Sequence, residues 1–284
     1  MSNQLLINLV PGKTVLHKLT GTTKVRLFII LLVYLIMSFD LRLLLPLFIL
    51  GIIGLVSLKP SWKTIKYFFI IAIIMNIINV FLFWVVNPRC GSIWCGGSNT
   101  ILYSFTDFFV ITAESMWYLS IRLLKMITSL IVSMVFILSI TPSEMAAGLY
   151  SVKVPYKICT VFSLAFRYIP DIGRDFENIK ISMQVRGIEL DPKKASIMIR
   201  LKQNILILVP LIITSFDRVG NIANAMDLRG YGKGKSRTYY SEREEQKADK
   251  IAKCIYCMLS VFCIYWIITQ NIMPQPMRMW YPFT

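Results

Sequence analysis

Apolar runs of near membrane-spanning length are the feature that most constrains how this chain can fold. Four of them extend from Val25 to Phe39, Leu41 to Leu58, Tyr67 to Val86 and Ile251 to Thr269. A hydrocarbon core about 30 Å thick is crossed by about twenty apolar residues in a helix, because a helix satisfies its own backbone groups in lipid. Since 56% of the 284 residues are hydrophobic, the composition also indicates a membrane protein. We predict an all-α integral membrane protein with about five transmembrane helices.

A fifth apolar segment extends from about Thr106 to Ile140 and contains Asp107, Glu114, Arg122 and Lys125. One long helix and a helix pair are both compatible with it. Arg122 and Lys125 fall on one helical face, and three arrangements remain open. The two side chains reach the membrane surface, contact another polar group, or pack against Glu114. Ionisable residues inside a membrane are functional candidates by default, but a structural contact explains these two equally well.

The character of the chain changes at Thr141. The stretch from Thr141 to Lys253 holds 19 of the 31 Lys and Arg residues, interleaved with acidic residues and short amphipathic runs. The apolar run from Asn204 to Phe216 contains Pro210 and has about 13 residues, which predicts a helix in the interface and not a span. We therefore divide the chain into N-terminal transmembrane helices (1–140), a cytoplasmic amphipathic region (141–250) and a last transmembrane helix with a short tail (251–284).

The distribution of Lys and Arg predicts the orientation, since short cytoplasmic loops are enriched in cations. One side carries the basic region after Thr141 together with Lys13, Lys18, Lys24, Lys59, Lys63 and Lys66, whereas the other carries Arg42, Arg89 and Arg278. With five spans, the N-terminus and the charged region are expected in the cytoplasm and the C-terminus outside.

A seven-residue pattern occurs twice in the basic region. The stretch from Ser182 to Ile188 (SMQVRGI) matches the stretch from Ala225 to Tyr231 (AMDLRGY). Glycine directly after a helix supplies a left-handed C-cap, and arginine near that end suits the helix dipole. Two ordinary helix ends would explain the pattern. Two equivalent cationic tips would also suit a partner with two equivalent pockets, such as a dimer of similar subunits.

Several motifs together resemble the transmembrane (T) component of energy-coupling factor (ECF) transporters, the EcfT family. Thr141-Pro142 and Val154-Pro155 resemble its Thr-Pro and Val-Pro elements, and the stretch from Arg167 to Pro170 resembles its Arg-aromatic-aliphatic-Pro signature. The two Arg-Gly stretches resemble its two Ala-Arg-Gly coupling motifs. Val185 and Leu228 stand where those motifs have alanine.

The resemblance implies a non-catalytic coupling subunit of an ATP-binding cassette (ABC) importer for a vitamin or a transition-metal ion such as cobalt or nickel. It implies two ABC ATPase subunits, a substrate-binding S-component membrane protein and the lipid bilayer as partners, in the plasma membrane of a prokaryote. The ATPase-coupling residues would be Val185, Arg186, Gly187, Leu228, Arg229 and Gly230, supported by Arg167, Pro170, Ala225, Asp227 and Tyr231. The cargo is not encoded, because another subunit selects it.

Two other functions have weaker support. The run from Glu144 to Gly148 (EMAAG) resembles the coupling loop of a conventional ABC permease that forms its own substrate path, but its spacing to Val154-Pro155 is too short. A polytopic membrane enzyme acting on a phosphorylated lipid would use the basic face, but it would need convergent carboxylates or a metal site. The sequence offers no such constellation.

Other short signals do not indicate cofactor sites. Gly12-Lys13-Thr14 and Gly234-Lys235-Ser236 lack the earlier glycine of a phosphate-binding loop, so we expect no cofactor, with ATP bound by the partner subunits. We also expect no metal site and no nucleic-acid partner. His17 is interpreted as a surface residue, and Cys254 and Cys257 as lipid-facing or packed side chains. Whether Cys90 pairs with Cys95 is left open.

Overall fold

The fold is a set of long helices with one short β-ribbon. The computed structural model describes residues 14–58, 62–92, 94, 100–104, 109–187, 197–234, 247–272 and 281. The elements are α1 (Val15–Lys18), α2 (Gly21–Met37), α3 (Leu41–Ser57), α4 (Trp62–Val86), β1 (Ile101–Ser104), β2 (Val110–Thr112), α5 (Ala113–Ser139), α6 (Pro142–Ser151), α7 (Tyr156–Val185), α8 (Ile197–Leu228) and α9 (Lys247–Ile272). The predicted all-α membrane architecture is confirmed.

The chain folds as two units. The first, called here the membrane unit, comprises residues 1–148 and 242–284, and the second, the helix-pair unit, comprises residues 149–241. In the membrane unit, α5 packs against α2, α3 and α4, and α2 packs against α9. Its apolar core includes Leu35, Leu44, Leu119 and Ile121.

Helix lengths follow the apolar runs of the sequence. Lys66–Val86 in α4 and Ala113–Ser139 in α5 are long and apolar enough to cross a membrane. Helices α2 and α3 have 17 residues each, and the break between them contains Asp40. These elements form the hydrophobic part of the membrane unit.

The segment from about 106 to 140 contains a single helix, α5, and not a helix pair. Thr112 starts this helix because its hydroxyl accepts a hydrogen bond from the Ser115 backbone N–H at 3.2 Å. The preceding residues form the β-ribbon, in which β1 pairs antiparallel with β2. Glu114 joins the ribbon region to α5, because its Oε1 accepts hydrogen bonds from Thr100 N at 3.2 Å and Thr100 Oγ1 at 2.7 Å.

Helix α8 is longer than the apolar run from Asn204 to Phe216 suggested. That run is part of one continuous 32-residue helix that contains Pro210, and Gln203–Leu228 is long and apolar enough to cross a membrane. The run is therefore not a separate short helix, and its placement in the membrane interface stays a prediction. Proline removes one backbone donor, so the carbonyl of Leu206, four residues earlier, has no helical N–H partner, yet α8 continues to Leu228.

The helix-pair unit is built from α7 and α8, which pack against each other. Tyr156, at the start of α7, contacts Tyr231, just after the end of α8, with ring centroids 5.9 Å apart. Asp175 in α7 forms an ion pair with Arg218 in α8. Residue numbers rise along one helix as they fall along the other, so the two helices are antiparallel.

Candidate coupling site

Each Arg-Gly motif ends one of the two long helices. Val185 is the last residue of α7 and Leu228 is the last residue of α8. Gly187 has φ +94° and Gly230 has φ +70°, the left-handed conformation that glycine adopts without a steric cost. The predicted glycine C-caps are confirmed.

Backbone hydrogen bonds complete the second cap. Gly230 N–H donates to Asp227 O at 2.9 Å, and Tyr231 N–H donates to Met226 O at 2.9 Å. This pair of bonds is the Schellman motif, which satisfies carbonyl groups at the end of a helix. The first cap has the equivalent inner bond, from Gly187 N–H to Gln184 O at 3.0 Å. The chain is therefore turned in the same way after Arg186 and after Arg229.

The helix ends expose an arginine together with an apolar side chain. Arg186 and Arg229 are both exposed, and Val185 and Leu228 are 84% and 90% exposed. The side chains that replace the family's alanines therefore do not pack against this chain. Each tip presents a cation beside apolar surface, a combination suited to a partly desolvated pocket on another protein.

The supporting motif residues lie on both helices of the pair. Ala225 and Asp227 are exposed in the last turn of α8, next to Arg229. Arg167 and Pro170 lie within α7, and Arg167 is exposed. Because Arg167 precedes Arg186 by 19 residues, or about 28 Å of helix, the structure does not bring the Arg-aromatic signature to the tip of its own helix.

Tyr231 has a contact that explains an aromatic residue after the second glycine. Its ring meets the ring of Tyr156 edge to face, at an interplanar angle of 65°. Aromatic pairs of this geometry contribute about 0.5–1.5 kcal/mol beyond their buried area. The contact attaches the end of α8 to the start of α7, and it holds the second tip in place. Ile188, the corresponding residue of the first motif, lies outside the described residues.

The ion pair between Asp175 and Arg218 is the feature that sequence reasoning missed. These residues are 43 positions apart, which is also the separation of Arg186 and Arg229. The repeat extends towards them, since Asn178-Ile179 matches Asn221-Ile222 at the same spacing. The pair therefore joins equivalent positions of the two copies, and extending the repeat upstream could have found it.

This ion pair gives the site an approximate two-fold symmetry. Each arginine tip follows its ion-pair residue by 11 positions, which is about 16 Å along the helix. Because α7 and α8 are antiparallel, Arg186 and Arg229 point to opposite sides of the pair. The unit thus presents two similar cationic tips at its two ends.

The permease-like run from Glu144 to Gly148 is buried in the membrane unit. Lys24 Nζ donates to Glu144 Oε2 at 2.9 Å, to Ser139 O at 2.9 Å and to His17 O at 3.1 Å. All three ammonium donors are thereby used. A Cβ added to Gly148 would lie 2.6 Å from Gly21 O, so α6 packs on α2 with little space between them. This run fixes α6 to α2 and does not form an exposed coupling loop.

Breaking this buried ion pair is expected to destabilise the protein. Both side chains are about 5% exposed, so Lys24→Met leaves an unpaired buried carboxylate and should cost about 3–5 kcal/mol. Lys24→Met combined with Glu144→Gln should cost less, because no charge remains buried. Unfolding by a denaturing detergent measures both effects.

Asp171 and Arg174 provide the control for that measurement. Their side chains are 45% and 78% exposed, and exposed pairs contribute about 0–1 kcal/mol. Arg174→Met should therefore change stability little. A Lys24→Met protein as stable as the original would contradict the structural role of the buried pair.

His17 is buried, contrary to the prediction of a surface residue. Its Nε2 donates to Leu138 O at 3.1 Å, and its Nδ1 lies within hydrogen-bond distance of the Thr14 hydroxyl. Burial, followed by the nearby Lys24 ammonium, lowers the pKa of His17. A neutral imidazole in this position tethers α1 to the end of α5.

The remaining short motifs do not form a binding site among the described residues. Cys254 and Cys257 are exposed on α9, and Cys263 is buried. Across the described residues, no group of three or more His, Cys, Asp or Glu side chains could hold a metal ion. Cys90 is a buried free thiol, so the structure does not pair it with Cys95. Cys95, the glycine-lysine run at residues 12 and 13, Lys235 and Ser236 lie outside the described residues.

Taken together, the long apolar helices and the paired helix ends define a multi-spanning membrane protein with a two-tipped helix unit. The family model described as cobalt transport protein (CbiQ) matches residues 12–240. This match covers well over half of the sequence, and the chain therefore belongs to the CbiQ family.

Curated relatives agree over nearly the whole length. The energy-coupling factor transporter transmembrane protein EcfT of Clostridium kluyveri is 26% identical, covering 90% of this chain and 93% of the relative. The EcfT proteins of Lactococcus lactis and Limosilactobacillus fermentum are 25% and 27% identical, over 94% and 92% of this chain and 98% and 96% of the relatives. The resemblance to EcfT drawn from the motifs is confirmed, and transport and membrane localisation follow from it.

Proposed function

We propose that this chain is the transmembrane coupling subunit of an energy-coupling factor importer. In this role it ties two ABC ATPase subunits to a substrate-binding membrane subunit and carries no chemistry of its own. The observation that carries the proposal is the antiparallel helix pair with two exposed Arg-Gly ends related by the Asp175–Arg218 ion pair. The cargo would be a vitamin or a transition-metal ion selected by the substrate-binding subunit.

The symmetry of the helix pair suits a partner made of two similar subunits. Two such ATPases have equivalent pockets related by a two-fold axis, and the tips face away from each other across the ion pair. Arg186 would enter one pocket and Arg229 the other. Movement of the pockets during ATP binding and hydrolysis would then move α7 and α8, and these helices would pass the movement to the substrate-binding subunit.

Neither alternative function has comparable support. The run that suggested a conventional permease is buried through Glu144 and Gly148, and it therefore lacks an exposed surface on which an ATPase would dock. A membrane enzyme would need convergent acidic or metal-binding groups, for which the described part of the chain offers no candidate cluster. We propose that nucleic acid is not a partner.

Co-purification tests the proposed function. Affinity purification of this chain from its native cells in mild detergent should recover two ABC ATPases and a small membrane protein in fixed proportion. The isolated chain should show no saturable ATP binding in the micromolar range, because nucleotide is bound by the ATPases. Recovery of the chain without ATPases from an intact, transport-active membrane would contradict the proposal.

The helix-pair unit is proposed to face the cytoplasm, and cysteine labelling tests this orientation. In a chain whose six cysteines are replaced by alanine, single cysteines are introduced at Gln184, Lys233 or Arg89. These positions are all exposed. An impermeant maleimide should label Arg89→Cys in sealed cells, and should label Gln184→Cys and Lys233→Cys only after permeabilisation. If α8 crosses the membrane, one of the two cytoplasmic positions will be labelled from outside.

A further inference from the structure

A cationic cavity in the membrane unit is not explained by the coupling function. Its volume is about 500 Å³, and Arg122 and Lys125 of α5 line it together with residues of α2 and α4. Charged side chains inside a membrane usually pair with one another or with backbone carbonyls. Among the residues that the structure describes, neither Arg122 nor Lys125 forms an ion pair. No carboxylate in the described part of the chain therefore compensates the two positive charges.

Neutral contacts hold the two cations in place without neutralising them. The Arg122 guanidinium lies 3.8 Å from the centre of the Phe83 ring, and the Lys125 ammonium lies 3.6 Å from the centre of the Phe39 ring. Lys125 Nζ also donates to Ile36 O at 2.8 Å. Cation–π contacts fix the direction of a charge, and donors remain available to an anion.

Arg122 has few hydrogen bonds within the described structure. Its Nε is buried without a hydrogen-bond partner in the described structure, and its Nη2 has one long contact, 3.5 Å, to Asn79 Oδ1. A buried N–H without a partner is costly. An oxyanion entering the cavity would accept a hydrogen bond from Nη2, whose contact with Asn79 is long, and would balance the charge of the guanidinium.

The position of the cavity along α5 indicates its depth in the membrane, which bears on the kind of anion it would meet. Ser139, at the end of α5, contacts the polar network of Lys24. Measured from there along α5, Lys125 is about 21 Å away and Arg122 about 26 Å away. In a hydrocarbon core about 30 Å thick, these distances place the cations near the opposite surface. Lys125 also bonds to Ile36, in the last turn of α2, which agrees with that level.

The lining has a charged part and an apolar part, as a lipid molecule has a charged headgroup and apolar chains. The cations lie at one end, and Leu32, Met126 and Leu130 extend the cavity along α2 and α5 towards the core of the membrane. We propose that this cavity binds an anionic phospholipid, with the headgroup phosphate at Arg122 and Lys125 and an acyl chain along the apolar lining. A free phosphate would not use the apolar part of the cavity.

Defined lipids in native mass spectrometry of the full-length chain test the proposal. Phosphatidylglycerol should be retained at least tenfold more than phosphatidylcholine with the same acyl chains. Arg122→Gln combined with Lys125→Gln should abolish this preference, whereas the charge-conserving Arg122→Lys with Lys125→Arg should keep most of it. Lys66→Gln with Arg89→Gln, which removes two exposed cations elsewhere in the membrane unit, should retain the full preference.

Three results would overturn the lipid assignment. The first is equal retention of the two lipids by the unmodified chain. The second is loss of phosphatidylglycerol when millimolar inorganic phosphate is added, which would indicate a site for a free anion. The third is unchanged lipid binding by the double Gln variant together with loss of a co-purifying membrane subunit, which would assign the cations to a partner protein. Thermal unfolding of each variant is compared with that of the original protein. An unchanged curve shows that a variant that loses lipid is still folded.

Discussion

Replacing Arg186 and Arg229 together by glutamate is expected to abolish transport and recovery of the ATPases. Each change reverses the charge of an exposed helix tip. Removing one partner of a desolvated charge pair costs about 2–5 kcal/mol at an interface, and reversal adds repulsion at both ends. Uptake in cells and pull-down of the ATPases measure the effect. A single Arg→Ala change leaves the other tip in place and should weaken transport without abolishing assembly.

Control variants distinguish the effect of the position of Arg186 and Arg229 from the effect of the net charge of the protein. Lys18 and Lys250 are exposed cations outside the helix-pair unit, and replacing both by glutamate changes the net charge by the same amount. That variant should assemble and transport nearly normally. Lys193 and Lys194, which are basic residues outside the motifs, lie outside the described residues and offer a second comparison. A well-expressed Arg186→Glu/Arg229→Glu protein with normal uptake would refute the coupling role of the tips.

Reversing one member of the central ion pair is expected to reduce transport by at least tenfold. Asp175→Arg places two guanidinium groups where Arg218 now meets a carboxylate, and like charges in contact would force α7 and α8 apart. The pair is about one-third exposed, so its own contribution to stability is modest, on the order of 1 kcal/mol. The larger effect should come from the displaced tips. Uptake in cells, corrected for the amount of protein in the membrane, is the measurement.

The exchanged pair provides the decisive control. Asp175→Arg combined with Arg218→Asp restores opposite charges across the same two helices, and transport should recover to at least half of the original rate. Arg174→Ala, which removes a more exposed pair within α7, should have little effect. If the exchange fails to recover transport although Asp175→Arg impairs it, the two residues act through something other than their mutual attraction.

The sequence alone determined the class of protein, the main spans and the residues at the helix tips. Long apolar runs have few structural solutions in lipid, so α2 to α5 could be located before any contact was known. The Arg-Gly repeat predicted both C-caps because glycine at φ +94° and +70° is a local backbone requirement. The transmembrane architecture, the family and the geometry of Gly187 and Gly230 were readable for the same reason: each depends on a short stretch of chain.

The tertiary structure decided how distant residues meet. Helix α8 continues through Pro210 and packs against α7, whereas the local sequence around the proline suggested a short separate helix. His17 and Glu144 became buried around Lys24 because three separate segments converge there. The pairing of Asp175 with Arg218, and the cavity at Arg122 and Lys125, depend on which helices are neighbours. Such contacts join residues far apart in sequence, and among them only the Asp175–Arg218 pair has a sequence signal, the 43-residue repeat.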